Sequence, residues 1–371
     1  MNSGRSPQNE KGNVPMIVWD GLGLSMERSG VGVNGAMLYQ ALKELGCVPY
    51  VLSFADETLS YVSPDRALKL ANGTNPLWDR FLKLKPIYPI CSYRSRKELW
   101  PELPVIFHGL SNINLPVGLS KKPTDRFVIS IHDIIPLNVN RLSPLAIQMS
   151  LLLPRVIARA DKIITGSYWT KIQLMERYGL GLADKIHNIA YGTLPPPETF
   201  KSSSATKSID GLSIARGEDY KRLDFLVSLA ERRPFHQFAL VTDELGQQMV
   251  ANAPKNLQVL SRQTRLEIET LYRKARVMIH PSLYEGWCLP VADALMRGLF
   301  VLYCKGSGID EVTSFGAKGQ TLGLPREAKI EDWISSFDLL VNKDPITKVE
   351  AKLPKWSEIG QKTLKIYKSL L

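Results

Sequence analysis

The chain has 371 residues, 44% of them hydrophobic and 22% charged, which suits a soluble protein of two domains of about 150–200 residues each. Its net charge of +11 comes from scattered Lys and Arg residues, without the basic runs and interleaved aromatics of RNA-binding proteins, so nucleic acid is disfavoured as a partner. A diphosphate substrate or an anionic membrane surface fits this charge better, and a generally basic surface explains it equally well.

The sequence shows neither an export signal nor a membrane span. Residues 1–14 are polar and are predicted to be a disordered lead-in, and no run approaches the roughly 18–20 apolar residues that a bilayer requires. The four cysteines, Cys47, Cys91, Cys288 and Cys304, form no C-x-x-C pair and are expected to be buried thiols in a reducing compartment. We therefore expect a cytoplasmic protein.

Apolar runs alternate with helical periodicity along the first half of the chain. Strands are predicted at 16–19, 48–54, 105–108, 127–132, 162–165 and 186–190, and helices at 33–45, 142–159 and 170–178. This alternation predicts an α/β fold with a parallel sheet covered by helices on both faces.

The pattern restarts after three prolines and a Ser-rich stretch. Strands are predicted at 211–214, 238–242, 257–260, 277–280 and 300–303, and helices at 222–230, 266–275 and 290–297. The predicted organisation is a lead-in 1–14, an N-terminal domain 15–196, a linker 197–208, a C-terminal domain 209–355 and a final helix 356–371. Because ligands of such sheets bind at the carboxyl ends of the strands, we expect a cleft between two doubly wound, Rossmann-like domains.

The first glycine-rich segment reads Gly30-Val-Gly-Val-Asn-Gly35 and matches G-x-G-x-x-G, with Asp56 after the next strand. A dinucleotide-binding dehydrogenase would have these glycines where the first strand ends, but residues 21–29 intervene. A mobile loop whose amides, including that of Gly32, meet a phosphate or sugar is the preferred interpretation. A purely structural turn is the alternative.

The second segment runs from His280 to Gly298 and follows an apolar strand. Pro290 suits the start of a helix, so the backbone amides just before it are expected to form an anion site. Glu285 and Asp293 flank that turn, and carboxylates are natural partners for hydroxyl groups. Together these features describe a site for a sugar nucleotide, whereas a solvated loop residue and a helix-dipole carboxylate are the ordinary alternatives.

These residues resemble the Glu-x7-Glu motif of the retaining glycosyltransferases of family 4, which have the two-domain GT-B fold. The positions that match the family pattern are Pro281, Ser282, Glu285, Gly286, Leu289, Pro290, Ala294 and Gly298. The resemblance implies that Glu285 and the amides of Gly286, Trp287, Cys288 and Leu289 hold the donor sugar and phosphate.

This sequence departs from the family pattern at three positions. Trp287 replaces Phe, Cys288 replaces Gly, and Asp293 replaces the second Glu, which shortens the side chain by one methylene. The family's second Glu holds the donor ribose, so the resemblance implies that Asp293 is the ribose ligand.

Two further stretches resemble the same family. Arg216 and Lys221 match the Arg and Lys that neutralise the donor diphosphate, and fixed cations would stabilise the charge that develops on the leaving phosphate. His132, in a stretch similar to mannosyltransferase-like members, matches a His that reaches the donor sugar. His108 matches less specifically, Asp133 is expected to cap the following turn, and the final helix is expected to cross back to the N-terminal domain.

We therefore predict a retaining hexosyltransferase that uses a nucleotide-diphosphate sugar, with GDP-mannose favoured. No cofactor and no metal are expected, because Arg216 and Lys221 supply the positive charges and no D-x-D motif follows a strand. A glycan or lipid-linked acceptor in surface polysaccharide or lipopolysaccharide synthesis is expected, with peripheral contact to the inner membrane face. A catalytically silent sugar-nucleotide-binding subunit is the main alternative.

The three other histidines, His187, His236 and His280, are predicted to be packing residues.

Overall fold

The computed structural model describes residues 16–20, 30–55, 58–62, 93, 104–193 and 206–371. Several predictions lie outside these ranges: the lead-in 1–14, the loop 21–29, Asp56 and most of the linker 197–208. Within the described ranges, no helix combines the length and the apolar character that crossing a bilayer requires.

The first sheet has seven strands in the order β3-β2-β1-β4-β5-β6-β7. In chain order they are β1 (Met16–Trp19), β2 (Tyr50–Ala55), β3 (Thr58–Val62), β4 (Val105–Gly109), β5 (Arg126–Ile131), β6 (Lys162–Thr165) and β7 (Ile186–Asn188). All neighbours are parallel except β2 and β3, which form an antiparallel hairpin at the edge that the sequence analysis did not predict. Every residue of β4 is buried, as expected for a strand covered by helices on both faces.

Four helices of the first half are described, namely α1 (Gly30–Glu44), α2 (Ile135–Val139), α3 (Pro144–Arg159) and α4 (Tyr168–Tyr178). The Oγ atoms of Ser143 and Ser167 accept hydrogen bonds from the third amide of α3 and of α4, which fixes where these helices begin. Helix α1 begins at Gly30, three residues before the predicted start. The prediction that Gly30–Gly35 form a mobile loop is therefore wrong, whereas contact of the Gly32 amide with the donor stays a prediction.

The second sheet has six parallel strands in the order β10-β9-β8-β11-β12-β13. The strands are β8 (Ile209–Ile214), β9 (Phe238–Val241), β10 (Leu257–Leu260), β11 (Ala275–His280), β12 (Phe300–Cys304) and β13 (Thr321–Leu324). The helices are α5 (Leu223–Arg232), α6 (Glu244–Met249), α7 (Arg265–Lys274), α8 (Leu289–Leu295), α9 (Ile309–Thr313) and α10 (Ile330–Val341). Strand order reverses between β8 and β11, which is where ligands of such sheets bind.

Helix α11 (Trp356–Lys368) returns to the first sheet, as the sequence resemblance implied. Its Tyr367 is fully buried, and the hydroxyl oxygen accepts a hydrogen bond from Trp19 Nε1 at 3.1 Å. Gly360 of α11 lies against Ala41 of α1, so the helices approach closely. The predicted GT-B architecture of two Rossmann-like domains with a returning helix is confirmed.

Candidate active site

An ion pair lies at the strand-order reversal of the second sheet. Lys221 ends a short 3-10 turn (Asp219–Lys221) after β8, and Glu285 lies in the loop after β11. Lys221 Nζ donates to Glu285 Oε1 at 2.7 Å, and each side chain is about a tenth exposed. Because β8 and β11 are neighbours, two residues 64 positions apart meet at one edge of the sheet.

His280 joins this pair, which corrects the prediction that it is a packing residue. It is the last residue of β11, and its Nε2 lies 2.5 Å from Glu285 Oε1 and 3.4 Å from Cys288 Sγ. The signal in the sequence was its position at a strand's carboxyl end, five residues before Glu285. Within the described part of the chain, His280, Glu285 and Cys288 are the group of side chains that could hold a metal ion.

Burial and charge act in opposite directions on this cluster. Burial by itself would raise the pKa of Glu285, but the Lys221 ammonium and the His280 ring outweigh it and hold that pKa below its ordinary value. Burial would lower the pKa of Lys221, and the Glu285 carboxylate raises it instead. Both groups are therefore ionised at neutral pH.

Cys288 occupies the N-cap position of α8 with φ +76° and ψ +75°, a left-handed conformation that favours glycine. The family pattern has Gly at this position, which explains the backbone geometry. Burial raises the pKa of the Cys288 thiol well above its ordinary value, and the nearby Glu285 carboxylate adds to this effect. The thiol is therefore neutral, and it occupies space beside Glu285 that a glycine would leave open.

Gly286 brings the two domains into contact. A Cβ at this position would overlap the backbone carbonyl oxygen of His132 in the N-terminal domain and lie 3.0 Å from the Asp133 Cβ. A glycine is required here because the loop after Glu285 approaches the loop after β5 so closely. The conformation is thus closed at this point of the cleft.

His132 follows β5 directly, as predicted, but both of its ring nitrogens are engaged. Its Nε2 lies 2.8 Å from the carbonyl oxygen of Leu110, which can only accept, so Nε2 carries the proton. Nδ1 then accepts from the Tyr191 hydroxyl at 2.6 Å. Burial lowers the pKa of His132, and the Leu110 carbonyl offsets part of that effect. In this arrangement the ring is neutral.

Asp133 and His108 have local structural partners. Asp133 Oδ1 accepts from the amide of Ile135 at 3.0 Å, which is the predicted turn cap. His108 is completely buried, with Nδ1 2.6 Å from the Tyr367 hydroxyl and Nε2 2.9 Å from Ser130 Oγ. Burial, together with the nearby His132, lowers the pKa of His108 to about 3. His108 therefore connects the sheet to α11.

Asp293 lies on the buried side of α8 beside Arg297, with Oδ1 3.5 Å from the Arg297 Nη1. The Arg297 guanidinium also donates through Nε to the two carboxylate oxygens of Glu269, at 3.0 and 2.9 Å. Glu269 lies 28 positions away on α7 and was not predicted as a partner from the sequence. Asp293 is thus part of a buried charge cluster, the Asp293–Arg297–Glu269 cluster.

Arg216 provides an exposed positive charge near the ion pair. Its side chain is 70% exposed, and its Nη2 lies 3.6 Å from Glu218 Oε1. It is the second residue after β8, so both predicted diphosphate-binding cations follow the same strand.

The remaining predicted donor-binding residues lie at the meeting of the domains. A Cβ on Gly30 would lie 3.6 Å from the Leu289 side chain, so the first turn of α1, which contains the buried Gly32, faces the start of α8. The Trp287 ring is buried and packs edge-on against Tyr191, with centroids 6.0 Å apart.

Glu311 of α9 is a further interdomain contact that the sequence analysis missed. Its carboxylate accepts from the Tyr168 amide at the start of α4, at 2.5 Å, and from Asn188 Nδ2 at 2.9 Å. An acidic group at a helix N-terminus is favourable because of the unpaired amides there. This contact joins α9 to the first domain close to Gly286, because Gly308, just before α9, donates to the Glu285 carbonyl oxygen at 2.9 Å.

Comparison with known proteins agrees with this geometry. Residues 197–337 match the family described as glycosyl transferases group 1. A search of curated protein sequences gives no significant match.

Solved structures that share the fold cover nearly the whole chain. Sucrose-phosphate synthase from Thermosynechococcus elongatus has a TM-score of 0.69 at 15% identity, over 96% of this chain and 98% of that one. HepE from Anabaena, in complex with UDP and glucose, has a TM-score of 0.59 at 13% identity, over 97% and 96%. WaaG, a glycosyltransferase involved in lipopolysaccharide biosynthesis, has a TM-score of 0.58 at 10% identity, over 94% and 95%. The chain therefore has the GT-B fold, and residues 197–337 are similar to glycosyl transferases group 1.

Proposed function

We propose that this protein is a retaining glycosyltransferase that moves a hexose from a nucleotide-diphosphate sugar to a glycan or lipid-linked acceptor. The observation that carries the proposal is the Lys221–Glu285 ion pair at the strand-order reversal of a glycosyltransferase group 1 domain. It lies beside the start of α8 and opposite the His132 loop of the other domain. A charged pair that is preformed, buried and next to an interdomain cleft suits a ligand with both phosphate and hydroxyl groups.

The pair gives the two ends of a sugar nucleotide separate partners. In the proposed complex the diphosphate takes the Lys221 ammonium and the exposed Arg216 guanidinium, and Glu285 accepts hydrogen bonds from hydroxyls of the donor sugar. Negative charge increases on the leaving phosphate as the glycosidic bond breaks, so fixed cations stabilise the transition state more than the ground state. With these two cations in place, the proposed reaction includes no metal ion and no cofactor.

Retention of the anomeric configuration is proposed from the family resemblance. The leaving phosphate would help to deprotonate the acceptor hydroxyl on the same face of the sugar. The backbone of the His132 loop would position the acceptor, because the ring nitrogens of His132 are already engaged by Leu110 and Tyr191. GDP-mannose is the first donor to test, and surface polysaccharide synthesis is the proposed process.

The test is a donor screen followed by two variants. Purified protein is assayed by thermal shift with GDP-mannose and other nucleotide sugars, where a donor at 100 times its Kd stabilises by roughly 2.7 kcal/mol. The donor that binds is then assayed for transfer, with the anomeric configuration of the product read by NMR. Glu285→Ala and Lys221→Ala should each abolish transfer while the protein stays folded. Glu331→Ala, which removes an exposed ion pair with Arg232, is the matched control; near-normal turnover in either site variant contradicts the proposal.

Peripheral contact with an anionic membrane is proposed for the surface of α3. This helix exposes Ile147 and Leu151 one turn apart, next to Leu142, which is 85% exposed. Arg141 and Arg155 lie beside this apolar stripe and would meet acidic headgroups. Sedimentation with anionic vesicles should capture the protein, and the double variant Ile147→Ser/Leu151→Ser should reduce capture; equal binding of both proteins would contradict this contact.

A catalytically silent donor-binding subunit is the second candidate, and Cys288 favours it. Its side chain stands where the family has none, beside the carboxylate proposed to hold the sugar. A silent subunit would bind a nucleotide sugar in the thermal-shift screen but would neither hydrolyse nor transfer it.

A further inference from the structure

His280, Glu285 and Cys288 form a compact set of metal-type ligands inside the proposed donor site. One ligand atom from each lies within 4.8 Å of the others, and all three side chains are buried. The set combines an imidazole nitrogen, a carboxylate oxygen and a sulfur. The glycosyltransferase pattern supplies the carboxylate, but the sulfur is present only because this chain has Cys at position 288.

The donor set matches the preference of zinc. Zn²⁺ binds Cys sulfur at about 2.3 Å and His nitrogen or carboxylate oxygen at about 2.0–2.2 Å, usually with three protein ligands where a fourth position stays open. Around such an ion, sulfur and nitrogen are roughly 3.5 Å apart, close to the 3.4 Å between Cys288 Sγ and His280 Nε2. The His280–Glu285 contact of 2.5 Å would lengthen as an ion enters between them.

The backbone holds these ligands in place without a metal. His280 is fixed by its strand, with Val277–His280 paired to β12, and Cys288 is fixed at the start of α8. The ring Nδ1 of His280 is buried without a hydrogen-bond partner, so it is available to carry the ring proton when Nε2 binds the metal. A hard cation such as Mg²⁺ is disfavoured because it avoids sulfur.

We propose that Zn²⁺ binds to His280, Glu285 and Cys288 and inhibits the donor site. On binding, the Cys288 thiol releases its proton to solvent and the ring proton of His280 moves from Nε2 to Nδ1, so that the sulfur and Nε2 each donate an electron pair to the ion. Glu285 Oε1 then coordinates the metal, and the Lys221 ammonium, now 2.7 Å from that oxygen, is displaced by the like charge. The inhibitory role rests on the proposed function, because Glu285 and Lys221 are the groups that the donor needs. Metal binding itself does not depend on the proposed function.

The binding test uses Co²⁺, which has the ligand preferences of Zn²⁺ and gives a thiolate-to-metal charge-transfer band in the near ultraviolet. One equivalent of Co²⁺ per chain should produce the band, and Zn²⁺ should remove it by displacement. Cys288→Gly, whose glycine suits the left-handed backbone, should lose the band and bind Zn²⁺ at least about tenfold more weakly. Cys47→Ala, which removes a half-buried thiol elsewhere, should behave as the unaltered protein does.

The activity test measures the rate of transfer with and without Zn²⁺, and the ratio of the two rates is compared between the unaltered protein and Cys288→Gly. Zn²⁺ should inhibit transfer by the unaltered protein, a chelator should reverse this, and Cys288→Gly should lose most of the sensitivity. Absence of the cobalt band, or equal zinc affinity in Cys288→Gly and the unaltered protein, overturns the metal site. Zinc binding without inhibition overturns the regulatory role. If the protein transfers no sugar, the proposed function fails while the cobalt spectrum still decides the metal site.

Discussion

The two acidic residues of the motif, Glu285 and Asp293, have different kinds of partner. Glu285 pairs with Lys221, a flexible side chain beside the cleft that the proposed donor would also engage. Asp293 lies beside Arg297, whose planar guanidinium is fixed by three hydrogen bonds to Glu269. A lysine ion pair can exchange partners when a phosphate arrives, whereas a buried arginine with two carboxylates resists exchange. The Lys221–Glu285 pair therefore suits a role in catalysis, whereas the Asp293–Arg297–Glu269 cluster suits a structural role.

The largest expected effect is on stability, from Arg297→Met. Removing the guanidinium takes away the buried cation that Glu269 and Asp293 share, which we expect to cost about 3–5 kcal/mol in the free energy of unfolding. Urea denaturation of the variant measures this. Arg232→Met, which breaks the exposed pair with Glu331, is the control and should cost less than about 1 kcal/mol; a similar cost in both variants would remove the distinction between the two regions.

Glu285→Gln should act on turnover. It keeps the shape but removes the charge that orients the donor sugar, so we expect kcat to fall about 10²–10³-fold, as when one preorganised electrostatic group is lost. Steady-state kinetics with the donor found by the screen provides the measurement. A rise in KM with kcat unchanged would mean that Glu285 contributes only to ground-state binding.

Gly286→Ala tests how closely the Glu285 loop must approach the His132 carbonyl. The added methyl group overlaps that oxygen, so the domains cannot close fully, and a misplacement of about 1 Å can reduce the rate about 10²-fold. Stability should change little, because the clash lies between domains that can separate. Unchanged kinetics would show that the closed contact is not used in catalysis.

Asp293→Asn tests whether this residue also holds the donor ribose, as the sequence resemblance implies. If Asp293 holds the ribose, losing its charge weakens one hydrogen bond in the ground and transition states alike, and donor KM should rise about tenfold with kcat preserved. Asp293→Glu, the residue of the family pattern, is the paired variant and should retain a low KM. An unaltered KM in Asp293→Asn would leave this residue with the structural role only.

The smallest effect is a pH dependence specific to Glu285. Its pKa is lower in the folded state than the ordinary value of 4.5, so its stabilisation is complete above that value and is lost as pH falls below it. The free energy of unfolding of the unaltered protein should decrease relative to Glu285→Gln by at most about 1.4 kcal/mol for each pH unit below 4.5. Urea unfolding at pH 7 and pH 4 compares the two, and a constant difference would contradict the ion pair.

Local sequence signals predicted much of this fold because each rests on backbone chemistry. Pro290 and Gly298 bracketed a helix that runs from Leu289 to Leu295, and Gly298 has the left-handed φ of +71° that follows many helices. The apolar runs gave eleven of the thirteen described strands of the two sheets, with ends that differ by at most two residues. The hairpin strand β3 was missed because it is polar at alternate positions and short.

Contacts between distant residues were harder to predict. The meeting of Lys221 with Glu285 follows from the strand order β8-β11, so a doubly wound sheet implies it once the topology is known. The Arg297–Glu269 bridge depends on where two helices lie against each other, and neither residue carries a local signal. His280 was misinterpreted because a lone histidine is usually structural, and only its neighbours at the strand end reveal its contact with Glu285.

The return of α11 to the first sheet has a consequence for the order of biosynthesis. Tyr367 is buried against Trp19 of β1 and bonded to His108 of β4, so the first core lacks a large side chain until residue 367 has been translated. The second sheet is by then already complete. The core of the nascent N-terminal domain therefore stays incomplete, with part of its apolar surface exposed, until α11 has been synthesised.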